Sequence, residues 1–214
     1  MIFLGRTSRQ RNARLLKQYK GVKGPIDCLQ FDDLITAQHT KCKPITCTLV
    51  VGEGSRIIVD YCVAQIPAFG HLAKISRKKY GHCADHSRRE RGRLFKRLNG
   101  TLPQNVVFRS DEHKHYPVVI NRYFPSAKHL THKGSKATVN GQGELKKLGR
   151  DPLFSIKHTL GMCRDKMSRL TRRSWNLSKK IERLDDHMAI YVEAHNRKIW
   201  IKLQKQLVEK SAAL

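Results

Sequence analysis

The sequence predicts an α/β fold: a mixed sheet with an antiparallel front meander and flanking helices, closed by two long C-terminal helices. Three observations point there. Strand-like apolar runs crowd the first third of the chain, at Ile26–Thr36, Ile45–Val51 and Arg56–Val63. Helical apolar spacing takes over at 70–98 and again beyond Asp151. Two core-like strand sequences carry carboxylates, Asp32-Asp33 inside the first and Asp111-Glu112 closing Val106–Ser110. A buried ionised carboxylate without a partner costs several kcal/mol. Those acids therefore need a cation, either a basic side chain or a metal.

Residues 1–25 form a basic N-terminal arm, with one helical turn at Asn12–Tyr19, closed by Gly21, Gly24 and Pro25. Gly52-Glu53-Gly54-Ser55 is a hairpin turn between the second and third strands. Gly70–Tyr80 and His86–Leu98 are helical, and the second is rich in Arg88, Arg89, Arg91, Arg93, Lys96 and Arg97. Their shared sign favours a surface facing a polyanion over a merely solvated face. Val106–Ser110 is a short buried-type strand, and Pro117 suits the first turn of a helix over Tyr116–Tyr123. Ala127–Thr131 is a further strand, followed over 132–150 by a mobile basic loop with Lys133, Lys136, Lys146 and Lys147. Asp151-Pro152, as cap and first residue, opens a long helix to Arg173, and a second helix runs over Leu177–Val208. The organisation expected is 1–25 arm, 26–175 catalytic core and 176–214 helical extension.

Charge narrows the function. The 214 residues hold 43 Lys+Arg against 17 Asp+Glu, a net charge of +26 and a pI near 10.3. A polyanionic partner follows, nucleic acid first. At 39% hydrophobic the chain can bury a core, which excludes wholesale disorder. The six cysteines form no C-x-x-C pair and read as reduced thiols in a cytosolic protein. Zinc bound by Cys42, Cys47 and a histidine has poor spacing. No stretch approaches a membrane span.

Carboxylates converging from different strands suit two-metal phosphoryl transfer, with ions roughly 3.5–4 Å apart. Here the chain resembles a family. Phe31-Asp32-Asp33, Ser110-Asp111 and the run from Ile156 through Arg164, Ser168-Arg169-Leu170, Arg172-Arg173 and Ser178-Lys179 look like the catalytic core of bacterial insertion-sequence transposases, closest to the insertion-sequence-one type, in the RNase H-like superfamily. The likeness spans roughly Gln30 to Asn196 and continues through Leu184, His187 and Tyr191.

The resemblance implies a DDE-type transposase that cuts and joins DNA strands with two Mg²⁺ (or Mn²⁺) ions. Asp32 and Asp111 would be the metal ligands, and Asp33 the fallback for the first, because strand alternation turns only one of the pair into the site. The structural alternative for Asp32-Asp33 is a pair on an edge strand, or an ion pair with Lys41 or Lys43. The family places a third acid early in the long helix, where this chain has Lys157 beside His158. His158 after a shift of one residue, Asp151 or Glu144 from the preceding loop, Asp165 further along the helix, and loss of catalysis all stand open. The basic helix and loop would grip the DNA backbone. The partners implied are double-stranded DNA, a homo-oligomer on DNA and an upstream DNA-binding segment encoded separately, in the bacterial cytoplasm at the nucleoid, with no membrane. Two other readings remain: an inactive remnant that only binds DNA, favoured by Lys157, and a structural RNA-binding protein, favoured by charge alone.

Overall fold

A computed structural model describes residues 1–133, 151–171 and 176–212. Its elements are α1 (Ile2–Lys23), β1 (Cys28–Gln38), β2 (Thr40–Gly52), β3 (Ile58–Gln65), α2 (Leu72–Tyr80), α3 (Ser87–Asn99), β4 (Val107–Ser110), α4 (Tyr116–Tyr123), β5 (Lys128–Thr131), α5 (Phe154–Lys166), a 3₁₀ turn at Ser168–Leu170 and α6 (Ile181–Ala212). The strands lie in the order β3-β2-β1-β4-β5. β1, β2 and β3 form the antiparallel meander, while β4 runs parallel to β1 and β5 parallel to β4. This is the RNase H-like strand order. The loop expected to be mobile, with Glu144, Lys136, Lys146 and Lys147, lies outside the described residues.

The period-two alternation of β1 sorts its side chains between two cores. Leu29 and Phe31 pack with Leu94 and Phe95 of α3, Phe108 of β4 and Tyr116 and Phe124 around α4. Phe31, Phe95 and Phe108 meet at ring separations of 5.3, 6.0 and 5.5 Å. Such contacts add about 0.5–1.5 kcal/mol per pair beyond area burial. Leu34, on the other face, joins Leu49 and Ile58 against Ile156 and Leu160 of α5 and Leu184 and Met188 of α6. The β2–β3 turn needs Gly54, whose φ is 71°, and holds Arg56 left-handed at φ 59°.

The N-terminal segment is not an arm with one helical turn. It is a 22-residue helix laid along α6, with Leu15 and Tyr19 buried beside Leu203. Its close-packed residue is Gly5, where a Cβ would come within 2.5 Å of Asp186 Oδ1. Arg9 adds contacts to Asp185 at 2.5 Å and Asp186 at 3.4 Å. The apolar stripe is narrow among many cations, and its partner is remote in sequence, so local pattern understates the helix.

The helix expected over Asp151–Arg173 is likewise shorter. Asp151 Oδ1 accepts the Leu153 N–H at 2.9 Å, outside the helix, and Met167 turns extended and ends it. α6 begins at Ile181 rather than Leu177 because Ser178 is drawn to the end of β1, where its carbonyl accepts the His39 N–H at 3.0 Å.

Asn196 of α6 fastens the outer edge of the sheet. Its side chain is fully buried; Oδ1 accepts the Ile58 N–H, Nδ2 donates to Ile58 O, both at 2.8 Å, and Nδ2 also donates to Asn12 Oδ1 at 2.7 Å. Asn196→Leu strands two backbone groups of β3 and is expected to cost about 2–4 kcal/mol. Urea unfolding checks this, and a loss under 1 kcal/mol would show that the clamp is dispensable.

Candidate active site

The site is built by the parallel pairing of β1 with β4. Cys28, Leu29 and Gln30 lie opposite Val107, Phe108 and Arg109. Two residues further in the same register, Asp32 is level with Asp111, which follows the last residue of β4. Acids 79 positions apart in sequence (111 − 32) thus stand on neighbouring strands at one height.

Asp32 shares its strand face with Gln30 and Leu34, which meet α5. Its Oδ1 accepts the Asp33 N–H at 2.7 Å. Burial, chiefly, with the charges of Asp111 and Asp33, pushes its carboxyl up to about 6, against the opposing pull of the Asp33 N–H and the Lys157 ammonium. Asp111 Oδ1 accepts the His113 N–H at 3.1 Å. Buried Ser110 lies 2.9 Å from His129 Nε2, which fixes the end of β4 against β5.

Tyr116, at the start of α4, is the member that sequence reasoning missed. Burial and the charges of Asp33, Asp32 and Asp111 push its hydroxyl far up, so it remains a neutral O–H beside the acids. An aromatic residue five positions beyond a strand-ending acid is too common a pattern to have signalled this.

The start of α5 is tied to β1 by Gln30, an almost fully buried residue. Its Nε2 donates to Pro152 O at 2.8 Å and its Oε1 accepts the Ile156 N–H at 3.0 Å. That clamp brings the 151–157 segment to the Asp32 side of the sheet. There Asp151 Oδ2 accepts from Lys157 Nζ at 2.8 Å.

His158 is turned elsewhere. Its ring lies 2.9 Å from Arg56 Nη1 at the β2–β3 turn and packs on Phe154 at 5.4 Å. One helical step of ~100° separates the two side chains, and the one facing the acids is Lys157. Asp165 is exposed at the far end of α5, paired with Lys166 at 2.7 Å.

Asp33 does not share the site. Its Oδ2 accepts from Arg91 Nη2 at 2.7 Å and its Oδ1 accepts the Thr48 hydroxyl, on the α3 side of the sheet. Neither Lys41 nor Lys43 is its partner. Asp32 within β1 and Asp111 just past the end of β4 offer oxygen donors, and the charge of Asp111 adds to the rise of the Asp32 carboxyl. Such a pair suits a hard divalent cation. Among the described residues no group of three or more His, Cys, Asp or Glu side chains is gathered closely enough to hold a metal by itself. Cys47 is buried in the core with Ile156 and Leu184, whereas Cys42 is half-buried where the pairing of β2 with β1 is irregular.

No family model matches the chain, and no curated protein does. Among solved structures it resembles the catalytic domain of Mos1 mariner transposase, with a TM-score of 0.33 at 12% identity over 93% of this chain and 90% of that one. A pre-cleavage Mos1 transpososome gives 0.29 at 10% identity, over 92% of this chain and 61% of that one. At these scores neither likeness carries weight beside the strand register.

The basic side chains expected to contact DNA are dispersed. α3 packs on the sheet face opposite Asp32, together with Phe31. Arg91 is buried in the ion pair with Asp33, and Arg97 bonds Asp60 at 2.8 Å and Tyr61 O at 2.9 Å. Arg89 and Arg93 share Glu90, each at 2.9 Å, and Arg88 meets His115 at 2.6 Å. Lys96 is exposed on that helix. Lys133 is also exposed, just past β5 at the sheet end that carries Asp111. Among the described residues no helix is long and apolar enough to cross a membrane.

Proposed function

We propose that the chain is a DDE-type transposase core that cleaves and joins DNA strands. The observation supporting it most directly is the levelling of Asp32 with Asp111 on adjacent parallel strands of an RNase H-like sheet. Asp32 and Asp111 would hold Mg²⁺ or Mn²⁺. Two such ions, when bound, activate the attacking oxygen and stabilise the leaving 3′-oxygen. The likeness to the insertion-sequence-one type rests on the sequence motifs alone.

The residues themselves supply position and charge. Asp32 is fixed within β1 and Asp111 directly follows β4, a placement that would hold reacting oxygens within the narrow range that in-line displacement needs. In the first reaction water adds to a phosphodiester, one P–O bond forms as one breaks, and the proton that the water gives up is returned through solvent to the leaving 3′-oxygen. The freed 3′-hydroxyl then attacks a target phosphodiester by the same exchange, so joining needs no outside energy source. The +26 charge supplies sequence-independent backbone affinity.

The test is a Mg²⁺ and Mn²⁺ titration of nicking and joining on labelled duplex DNA, with Asp111→Asn as control. Metal-dependent product lost in the variant is expected. Binding without cleavage in both proteins would favour the second reading, a DNA-binding remnant, for which the Lys157–Asp151 ion pair is the specific observation.

A further inference from the structure

Beyond its acids, β1 runs on into a part of the surface that the proposed chemistry does not use. Ile35 of that strand is 47% exposed, and Phe69 in the β3–α2 loop is 60% exposed. Both line a groove of about 380 Å³, with Leu72 of α2 and Leu170 of the 3₁₀ turn as further apolar wall. Apolar side chains gathered in a concave surface mark a binding site, whereas single ones scattered over a surface need no explanation. The rim is cationic. Lys41 lines the groove, and α2 carries Lys74, Arg77 and Lys78, all exposed. The acids of the segments that build it are engaged elsewhere. Between Leu34 and Tyr80 they are Glu53 and Asp60, which meet Arg109 at 3.3 Å and Arg97 at 2.8 Å. From Lys166 to Lys180 there is none.

We propose that this groove takes unpaired nucleotides of the DNA strand beside the phosphodiester held at Asp32, with a base stacked on Phe69. An apolar floor alone would suit a hydrophobic peptide, and a cationic rim alone the backbone of a duplex. The two together fit flat apolar faces strung on an anionic backbone, which is the chemistry of an unpaired strand. Such stacking is tolerant of sequence, because every base has a π-face. Lys41 and the cations of α2 would neutralise its phosphates. The distance agrees. Thr36, also in the groove wall, follows Asp32 on the same strand, about 13 Å away at ~3.3 Å per residue. That is roughly four steps of a stacked strand. The identity of the strand as DNA rests on the transposase reading; the stacking surface does not.

The experiment compares a blunt duplex with the same duplex carrying a short unpaired tail, each bound by the full chain in the presence of a chelator. Salt is held constant, since ionic strength alone shifts such affinities. 2-Aminopurine in the tail reports stacking by loss of its emission. The parent is expected to bind the tailed duplex about tenfold tighter, the value of one stacked base, and to quench the probe. Phe69→Ala is expected to remove most of that preference and the quenching, while Phe69→Trp keeps both. Ile35→Ser, at a second exposed position, is expected to lower the preference should Phe69→Ala fail to fold. Equal affinity for the two duplexes would overturn the proposal, as would a preference and quenching that survive Phe69→Ala. Equal affinity together with Phe69-dependent binding of an alternating Asp-Leu peptide would assign the groove to a protein instead, and also overturns it. Metal and cleavage play no part in this binding, so the two readings fail separately. A Phe69-dependent preference in a chain that never nicks supports the groove and counts against the transposase; nicking without the preference strikes the groove alone.

Discussion

Asp32→Asn is expected to melt at a higher temperature than the parent protein while losing the strand chemistry. The reason is the cost of holding this carboxylate ionised. Its carboxyl sits at about 6 in the fold, raised chiefly by burial and then by Asp111 and Asp33, against ~3.9 in an unfolded chain. Between those values the folded protein binds more protons than the unfolded one. Stability therefore falls as pH rises from about 4 to about 6 and stays at the lower level above. Asparagine has no such titration and keeps an oxygen to accept the Asp33 N–H. The gain at pH 7.5 is expected to be about 1–2 kcal/mol, equivalent to ~2–8 °C for a chain of this size. The scan needs a chelator, since a divalent ion would stabilise the parent and mask the difference. Nicking should fall by on the order of 10³ or more, as when a preorganised charge is removed from a transition state. A variant that melts at or below the parent temperature would show that Asp32 is not a strained charge. One that still nicks would remove it from the chemistry.

Much of this site is legible in the sequence because it depends on alternation. Adjacent acids on a strand must point to opposite faces, and the faces are identifiable: Phe31 belongs to the aromatic core and Leu34 to the other one. The antiparallel meander is legible as well, from three strand-like runs and the turn that joins the last two. What alternation does not supply is register. Nothing local sets Asp111 level with Asp32; that depends on Val107 meeting Cys28 across an intervening stretch of chain. The choice between Lys157 and His158 is a question of the same kind. Which of the two lies on the Asp32 side depends on where the Gln30 amide catches α5, and a buried glutamine gives no advance notice of its partner. Charge misleads most at the N-terminus and on α3. Local sequence cannot distinguish a cation facing solvent from one facing an acid that a remote strand delivers.

Arg91 is the sharpest case, and Arg91→Met is expected to destabilise the protein by about 3–5 kcal/mol. The wild-type side chain is 3% exposed and its partner Asp33 only 17%. The guanidinium also lies 5.1 Å from the Tyr116 ring, and the Thr48 hydroxyl donates to the same carboxylate. Removing the cation leaves Asp33 ionised beneath α3 with one hydroxyl for compensation. Replacing both partners is a different perturbation. Asp33→Leu combined with Arg91→Met removes charge and counter-charge together and is expected to recover most of the loss, since apolar pairs often substitute for buried ion pairs at little cost. Arg89 and Arg93, 59% and 61% exposed and sharing Glu90, provide the contrast. Alanine at either should change stability by less than about 0.5 kcal/mol. Denaturant unfolding of the four variants separates the cases, with DNA affinity measured per folded molecule. An Arg91→Met protein as stable as the parent, yet weaker on DNA, would return Arg91 to the DNA surface. Unfolding confined to Arg91→Met and reversed in the double variant would establish that this arginine neutralises the acid of β1 that faces away from the site, which leaves Asp32 as the strand's one carboxylate on the α5 face.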